Sequence, residues 1–439
     1  MKKRLLCGLA AVALAGLLSG CSVRNLVSSP EDLYSLPALP AKYTELNQRI
    51  HAILAEGAEY AAPTSGTNIQ PVQLVDLDGD GDEEAVAFFR ASDDEKPLKV
   101  YVFTTEGDSY RQSTMIEASG TGISAIEYKD MDGDGMLELI VGWKATADLQ
   151  VLEVYNGADG EPRALIRTNY VRYSMADLNG DARQDLVVLR ADEEVGSVAD
   201  YYTWQADGGF AAWTPARLST TMAEVSGQGR VSAGMLRGGV PALFVTGVTD
   251  SGVAVTDVLA LKNDQLKNIV LSEKTGLSGE MSPFCALYPA DIDGDGCTDV
   301  PRASVQTGSV QVIDWFSCGE DGTMELSLQT CHNMTDGWFF CMPDAWAGNV
   351  GAERTAAANA ANVTFYARDN NAPFLRITAY TGSDREVQAM RGGQFLLGRQ
   401  PETIYTAELL ETGNGGEHGM TADQIRKAFF LITEEWVSG

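Results

Sequence analysis

Four short stretches of this chain place a polar acid or amide at every second residue. They read DLDGDGDEE from Asp76, DMDGDGMLE from Asp130, DLNGDARQD from Asp177 and DIDGDGCTD from Asp291. Counting from the first residue of each, positions 1, 3, 5 and 9 are Asp76, Asp78, Asp80 and Glu84; Asp130, Asp132, Asp134 and Glu138; Asp177, Asn179, Asp181 and Asp185; and Asp291, Asp293, Asp295 and Asp299. Position 7 is Asp82, Met136, Arg183 or Cys297, and any of these can offer its backbone carbonyl. Such donors are hard oxygens, and calcium takes about six to eight oxygen ligands at roughly 2.3–2.6 Å. Fifteen carboxylates fill these positions, so each loop should spread under its own repulsion unless a divalent cation joins it. The pattern therefore predicts about four calcium sites, structural in role. Gly79 and Gly81 permit the left-handed backbone a tight loop needs. The loop from Asp177 has Ala182 for the second glycine and Asn179 for one acid, and is expected to bind most weakly.

An EF-hand is excluded, because it closes with a glutamate at position 12 and continues as a helix. Position 12 here is Ala87, Val141, Val188 or Arg302, and the residues leaving the loops, as in ELIVGW and DLVVLR, are mostly apolar and β-branched. A solvated acidic turn accounts for one such loop. It does not account for four in register with a strand period.

The elements that position the loops recur with them. Successive loops start 54 and 47 residues apart, and the next gap, 114, is twice 57. Midway, VSAGMLRGGVPALFVTG from Val231 keeps the flanking apolar runs and the glycines but has no acid, giving a fifth, metal-free unit. Each unit reads strand, loop, strand, followed by an outer hairpin such as LKVYVFTTE from Leu98 and YRQSTMIEA from Tyr110. In motif and repeat length the units resemble FG-GAP or VCBS repeats, the calcium-loop blades of integrin-α-type β-propellers. The resemblance implies a mainly β fold, a propeller over residues 69–336 with calcium bracing its blades. Ahead of it, in residues 41–68, Tyr43, Leu46, Ile50, Ile53 and Leu54 recur at helical spacing up to Gly57.

The start of the chain is of another kind. Lys2, Lys3 and Arg4 precede an apolar run from Leu5 to Leu18 that ends in Ser19, Gly20 and Cys21. This predicts a bacterial lipoprotein signal over residues 1–20, lipid on Cys21, and a Ser/Pro-containing tether over 21–40. The mature chain then keeps 29 basic against 61 acidic residues, which repels nucleic acid and anionic lipid surfaces. With 44% hydrophobic residues it is nevertheless a folding sequence. The expected location is extracytoplasmic, held to the cell membrane through Cys21.

Beyond Gly337 the acidic loops stop. Strands are expected at NVTFYAR, FLRITAYT, GQFLLGR and TIYTAELL, then a helix capped by Thr421 and Gln424 with Ile425, Ala428, Phe429, Ile432 and Trp436 on one face. This suggests a small α+β domain over 337–439; the alternative adds these strands to a seven-bladed ring. Five cysteines, Cys285, Cys297, Cys318, Cys331 and Cys341, lie in one stretch that runs into this region. One or two disulfides are expected among them, with a zinc site of Cys331, His332 and Cys341 as the lesser alternative. His51, His332 and His418 lie far apart, no GxSxG elbow occurs, and His418 falls in the glycine-rich GNGGEHG. Trp338, Phe339, Phe340 and Trp346 suit either a core or a sugar-binding platform. The reading favoured overall is a surface binding module with a protein or glycan ligand. An extracellular carbohydrate-active enzyme using a carboxylate pair, or a structural envelope component, are the alternatives.

Overall fold

A computed structural model of the chain describes residues 41–432 except 108, 158–160, 206–207, 280, 305–309 and 411–418. The signal, Cys21, the tether, His418 and Trp436 lie outside the described residues.

The described residues form six antiparallel sheets of four or five strands, met in chain order, as expected for a mainly β protein of propeller-type blades. The first contains Val72–Val75, Glu84–Arg90, Leu98–Glu106 and Ser109–Ala118, and the second Gly122–Lys129, Glu138–Lys144, Gln150–Tyr155 and Ala164–Tyr170. The third runs Arg172–Ala176, Asp185–Asp192, Gly196–Gln205 and Gly209–Ala212, and the fourth Arg230–Met235, Pro241–Val248, Val253–Lys262 and Gln265–Asn268.

Strand periodicity explains how they stack. Side chains alternate between the two faces of a strand, so a strand packed on both sides must be apolar at successive positions. Leu139 and Val141 join Val86 and Val100 of the first sheet, while Ile140 between them joins Leu186 and Val188 of the third. Val187 and Leu189 then meet Leu243 and Val245 of the fourth sheet, whose Phe244 joins Val300 and Cys318 of the fifth. Runs such as ELIVGW are apolar throughout for that reason. Helix α1 (Ala41–Ala55) buries Leu46 and Ile50 against Ala85, Ala87 and Phe89 of the first sheet. None of the described helices is long and apolar enough to cross a membrane.

The unit whose loop lacks acids is held by other means. Asp257, fully buried, accepts from the hydroxyl of Ser219 at 2.7 Å, the hydroxyl of Thr220 at 2.8 Å and Asn268 Nδ2 at 2.8 Å, as well as from both backbone amides. This fixes the chain entering helix α2 (Met222–Ser226), which Thr221 and Glu224 close with a reciprocal capping box.

The C-terminal region departs from expectation. Trp338–Met342 pairs with Met324–Asn333, so the division expected at 336–337 falls inside a hairpin of the fifth sheet, which also holds Asp299–Ala303 and Gln311–Cys318. The sixth sheet, in spatial order Val350–Ala357, Ala360–Ala367, Pro373–Tyr380, Ile404–Leu409 and Gln394–Arg399, shares a core with the fifth through Val312, Phe340, Phe365 and Leu375. A short helix α3 (Arg385–Ala389) lies before its edge strand. The last helix is shorter than its periodicity suggested. After α4 (Ala422–Ala428), Phe429–Leu431 becomes a strand on Trp338–Phe340, because an open sheet edge offers two β-favouring phenylalanines and a leucine backbone pairing and buries Phe429.

Candidate metal centres

The first three acidic loops each join two paired strands of one sheet, and the fourth leads into Asp299–Ala303, the first strand of the fifth sheet, closed by an isolated bridge between Ala290 and Asp299. Asx-type bonds shape each loop before any cation is considered. The amides at positions 4 and 6 donate to the position 1 carboxylate, as Gly79 and Gly81 do to Asp76 at 2.8 and 3.1 Å. The amide at position 5 donates to position 3, and that at position 7 to position 5: Asp82 to Asp80, Met136 to Asp134, Arg183 to Asp181, and Cys297 to Asp295. The position 7 residues thus enter through their backbone, and the Asp82 side chain faces Lys42 of α1 at 3.6 Å. Gly81, Gly135 and Gly296 have φ near +90°, and Ala182 takes φ +69° at the same place, a strained conformation for a residue with a Cβ.

Three loops gather their acids. One carboxylate oxygen each from Asp76, Asp78 and Glu84 lie within 4.8 Å of one another, as do those of Asp130, Asp132 and Glu138, and of Asp291, Asp293 and Asp295. That separation suits oxygens around a single calcium ion. The closing acids Glu84, Glu138, Asp185 and Asp299 are buried, none more than 4% exposed. The first three accept the backbone amide at position 2, from Leu77, Met131 and Leu178, at 2.8–3.0 Å.

Burial is costly for them. It is the main cause that raises the Glu84 and Asp185 carboxyls and pushes Glu138 to about 7, the other acids of the loop adding to the Glu138 shift. Asp299 rises to about 6, again chiefly by burial, and its Oδ2 is buried without a hydrogen-bond partner. A divalent cation among these acids would oppose these shifts, so the gathered carboxylates fit calcium in chemistry and reach.

The third loop is built differently. Asn179 turns its amide nitrogen toward Thr203 Oγ1 at 3.1 Å, Asp181 Oδ2 at 3.3 Å and Asp185 Oδ1 at 3.5 Å. The position 3 amide supplies hydrogen bonds where the other loops bring a carboxylate.

Other candidates do not assemble. Cys285, Cys297, Cys318, Cys331 and Cys341 are free thiols, so the expected disulfides are absent among them. Cys331 belongs to the core between the fifth and sixth sheets, whereas Cys341 packs on the opposite face near Trp315 and Cys285; strand alternation separates them and with them the zinc alternative. His332 is buried, stacked on Phe339 with centroids 5.0 Å apart. Trp338, Phe339, Phe340 and Trp346 are all buried, which makes them core and not an exposed sugar platform. Asp257 escaped sequence reading, since a lone aspartate within VAVTDVLALK gives no signal of its distant partners.

The FG-GAP-like repeat family model matches residues 76–141. No curated protein matches the chain. Among solved structures the chain is similar to a mutant of the Aleuria aurantia lectin in complex with alpha-methyl-L-fucoside, at 9% identity and TM-score 0.25, covering 80% of this chain and 97% of that one. A B. megaterium levansucrase mutant is similar at 11% identity and TM-score 0.23, covering 62% and 85%. The WD40 domain of SCAP from fission yeast is similar at 10% identity and TM-score 0.23, covering 80% and 97%. Likenesses this distant carry no argument about ligand or activity. What the matched segment establishes is that residues 76–141, spanning the first acidic loop and most of the second unit's opening strands, carry an FG-GAP-like repeat.

Proposed function

We propose that this chain is an extracytoplasmic binding module, anchored to the bacterial cell membrane by lipid on Cys21, whose propeller-type blades are braced by calcium and present a protein- or glycan-binding face. The observation that carries the calcium reading is the convergence of three carboxylates in each of three loops, two of which include a closing acid whose burial disfavours its charge. Calcium there is structural: three of the loops join paired strands, and the fourth is closed by the Ala290–Asp299 bridge. A mature chain with 29 basic against 61 acidic residues supports a ligand other than nucleic acid.

The test is a glycan and envelope-protein binding screen of the chain, with calcium and with chelator, alongside mass spectrometry of the N-terminal peptide from expressing bacteria. Retention of a ligand in calcium and a lipid-modified Cys21 are the expected results. Silence in both conditions would overturn the binding role, and an unmodified Cys21 the anchor.

A further inference from the structure

A cavity among the described residues lies away from the acidic loops. It encloses about 640 Å³ between Gly122–Lys129 of the second sheet, Arg172–Ala176 of the third, helix α2 and the segment at Ser65 and Gly66. That volume lies within the roughly 300–1,000 Å³ typical of small-molecule sites.

Its polar groups are fixed by a network that leaves specific valences over. The Tyr173 hydroxyl donates to Glu127 Oε1 at 2.6 Å, and an ionised carboxylate has acceptor capacity well beyond one bond. The Tyr170 hydroxyl donates to Ser124 Oγ at 3.2 Å, and Ser124 in turn donates to Gln150 Oε1 at 2.7 Å. With its oxygen engaged, Gln150 keeps its two amide hydrogens to offer. Arg172 reaches the Ser226 carbonyl at 3.4 Å with one of its five donors. Asp148 adds an exposed carboxylate. Between these groups lie the apolar surfaces of Ala125, Val171 and Met222.

We infer that this cavity is a saccharide site. The inference rests on the binding-module reading and names its ligand. A sugar ring carries hydroxyls that both donate and accept around its rim, and C–H groups on its faces. Glu127 and Asp148 accept from hydroxyls, Gln150 and Arg172 donate to them, and Ala125 and Met222 contact the apolar face. An anionic ligand meets two carboxylates against one guanidinium, and a purely apolar one leaves the polar groups unpaired. Because Glu127 is tied to Tyr173, and Ser124 to Tyr170 and Gln150, all of them on strands, the site is preformed.

Isothermal titration of the full chain in calcium with cellotriose, xylotriose, maltotriose and triacetylchitotriose tests this. At least one should bind. Ala125→Trp, which puts a large ring into the cavity beside Gly66, should abolish the heat, and Glu127→Gln, which gives up a charged acceptor, should weaken binding about tenfold. Should Ala125→Trp not fold, as judged by its far-UV spectrum and melting, Asp148→Asn and Gln150→Ala serve instead, each expected to weaken binding several-fold. No heat with any trisaccharide overturns the site, and so does binding that ignores these substitutions. In either case a ligand found in the wider screen would leave the binding-module reading standing, whereas silence there removes both.

Discussion

The backbone amide of Leu137 donates to the carbonyl of Leu77 at 2.7 Å, tying the second acidic loop to the first by main chain. The fourth loop repeats the link. Thr298, at its position 8, donates from its amide to the Met235 carbonyl at 2.8 Å, across to the unit that lost its acids. Neighbouring sheets are thus joined through the very loops whose carboxylates repel.

Calcium removal should therefore act on the whole molecule and not only on the loops. A ligand present at a hundred times its dissociation constant stabilises by about 2.7 kcal/mol per site. Chelation is expected to lower the melting temperature by several degrees, and Asp78→Ala or Asp132→Ala to reproduce part of the loss in calcium. An unchanged melting curve in chelator would refute the brace.

The third loop offers a gain-of-function experiment. Asn179→Asp replaces an amide donor 3.1–3.5 Å from Thr203, Asp181 and Asp185 with another carboxylate. In calcium the variant should bind the ion more tightly at this loop, seen as a steeper rise of melting temperature with calcium than in the parent. In chelator it should melt lower than the parent, because the new charge is uncompensated. Identical behaviour of the two proteins would show that Asn179 does not limit the site.

Asp257 should matter more for stability than any single loop acid. Asp257→Ala strands the buried donors of Thr220 and takes the acceptor from the half-buried Ser219 and Asn268, a loss of about 3 kcal/mol. Asp257→Asn, which keeps the shape and one acceptor, should cost less. Urea unfolding in calcium measures both, and equal midpoints for Asp257→Ala and the parent would contradict the role.

His332 gives the chain a pH dependence of its own. Burial pulls its imidazole from 6.5 down to about 3, while Thr330 Oγ1, 2.8 Å from Nδ1, accepts from Trp315 Nε1. Above pH 6.5 both folded and unfolded chains carry a neutral ring, and the stability is fully present. As pH falls below 6.5 the unfolded chain takes up a proton that the folded chain refuses until about pH 3. Stability should fall by about 1.4 kcal/mol per pH unit in that window. In saturating calcium between about pH 6.5 and 5, His332→Phe, which retains the stack on Phe339, should show a shallower slope than the parent. Parallel slopes would refute the assignment.

What the sequence determined by itself is local. The alternation of acids with glycines set the loops, and doubly apolar runs such as ELIVGW and DLVVLR set strands buried on both faces; both properties are decided within about a dozen residues of backbone. The helix ahead of the first sheet was legible for the same reason, since Leu46 and Ile50 recur at one helical turn. Tertiary structure decided the rest. Phe429–Leu431 continued a helical pattern in sequence yet became a strand, because the edge at Trp338–Met342 was open to it. Cys331 and Cys341, ten residues apart, were sent to opposite faces of one sheet by their register. Asp257 found Ser219 and Thr220 only when the fourth sheet had formed. Glu127, Gln150 and Arg172 likewise surround one cavity because two sheets and a short helix meet there, a juxtaposition that depends on long-range packing and leaves no trace in residue spacing.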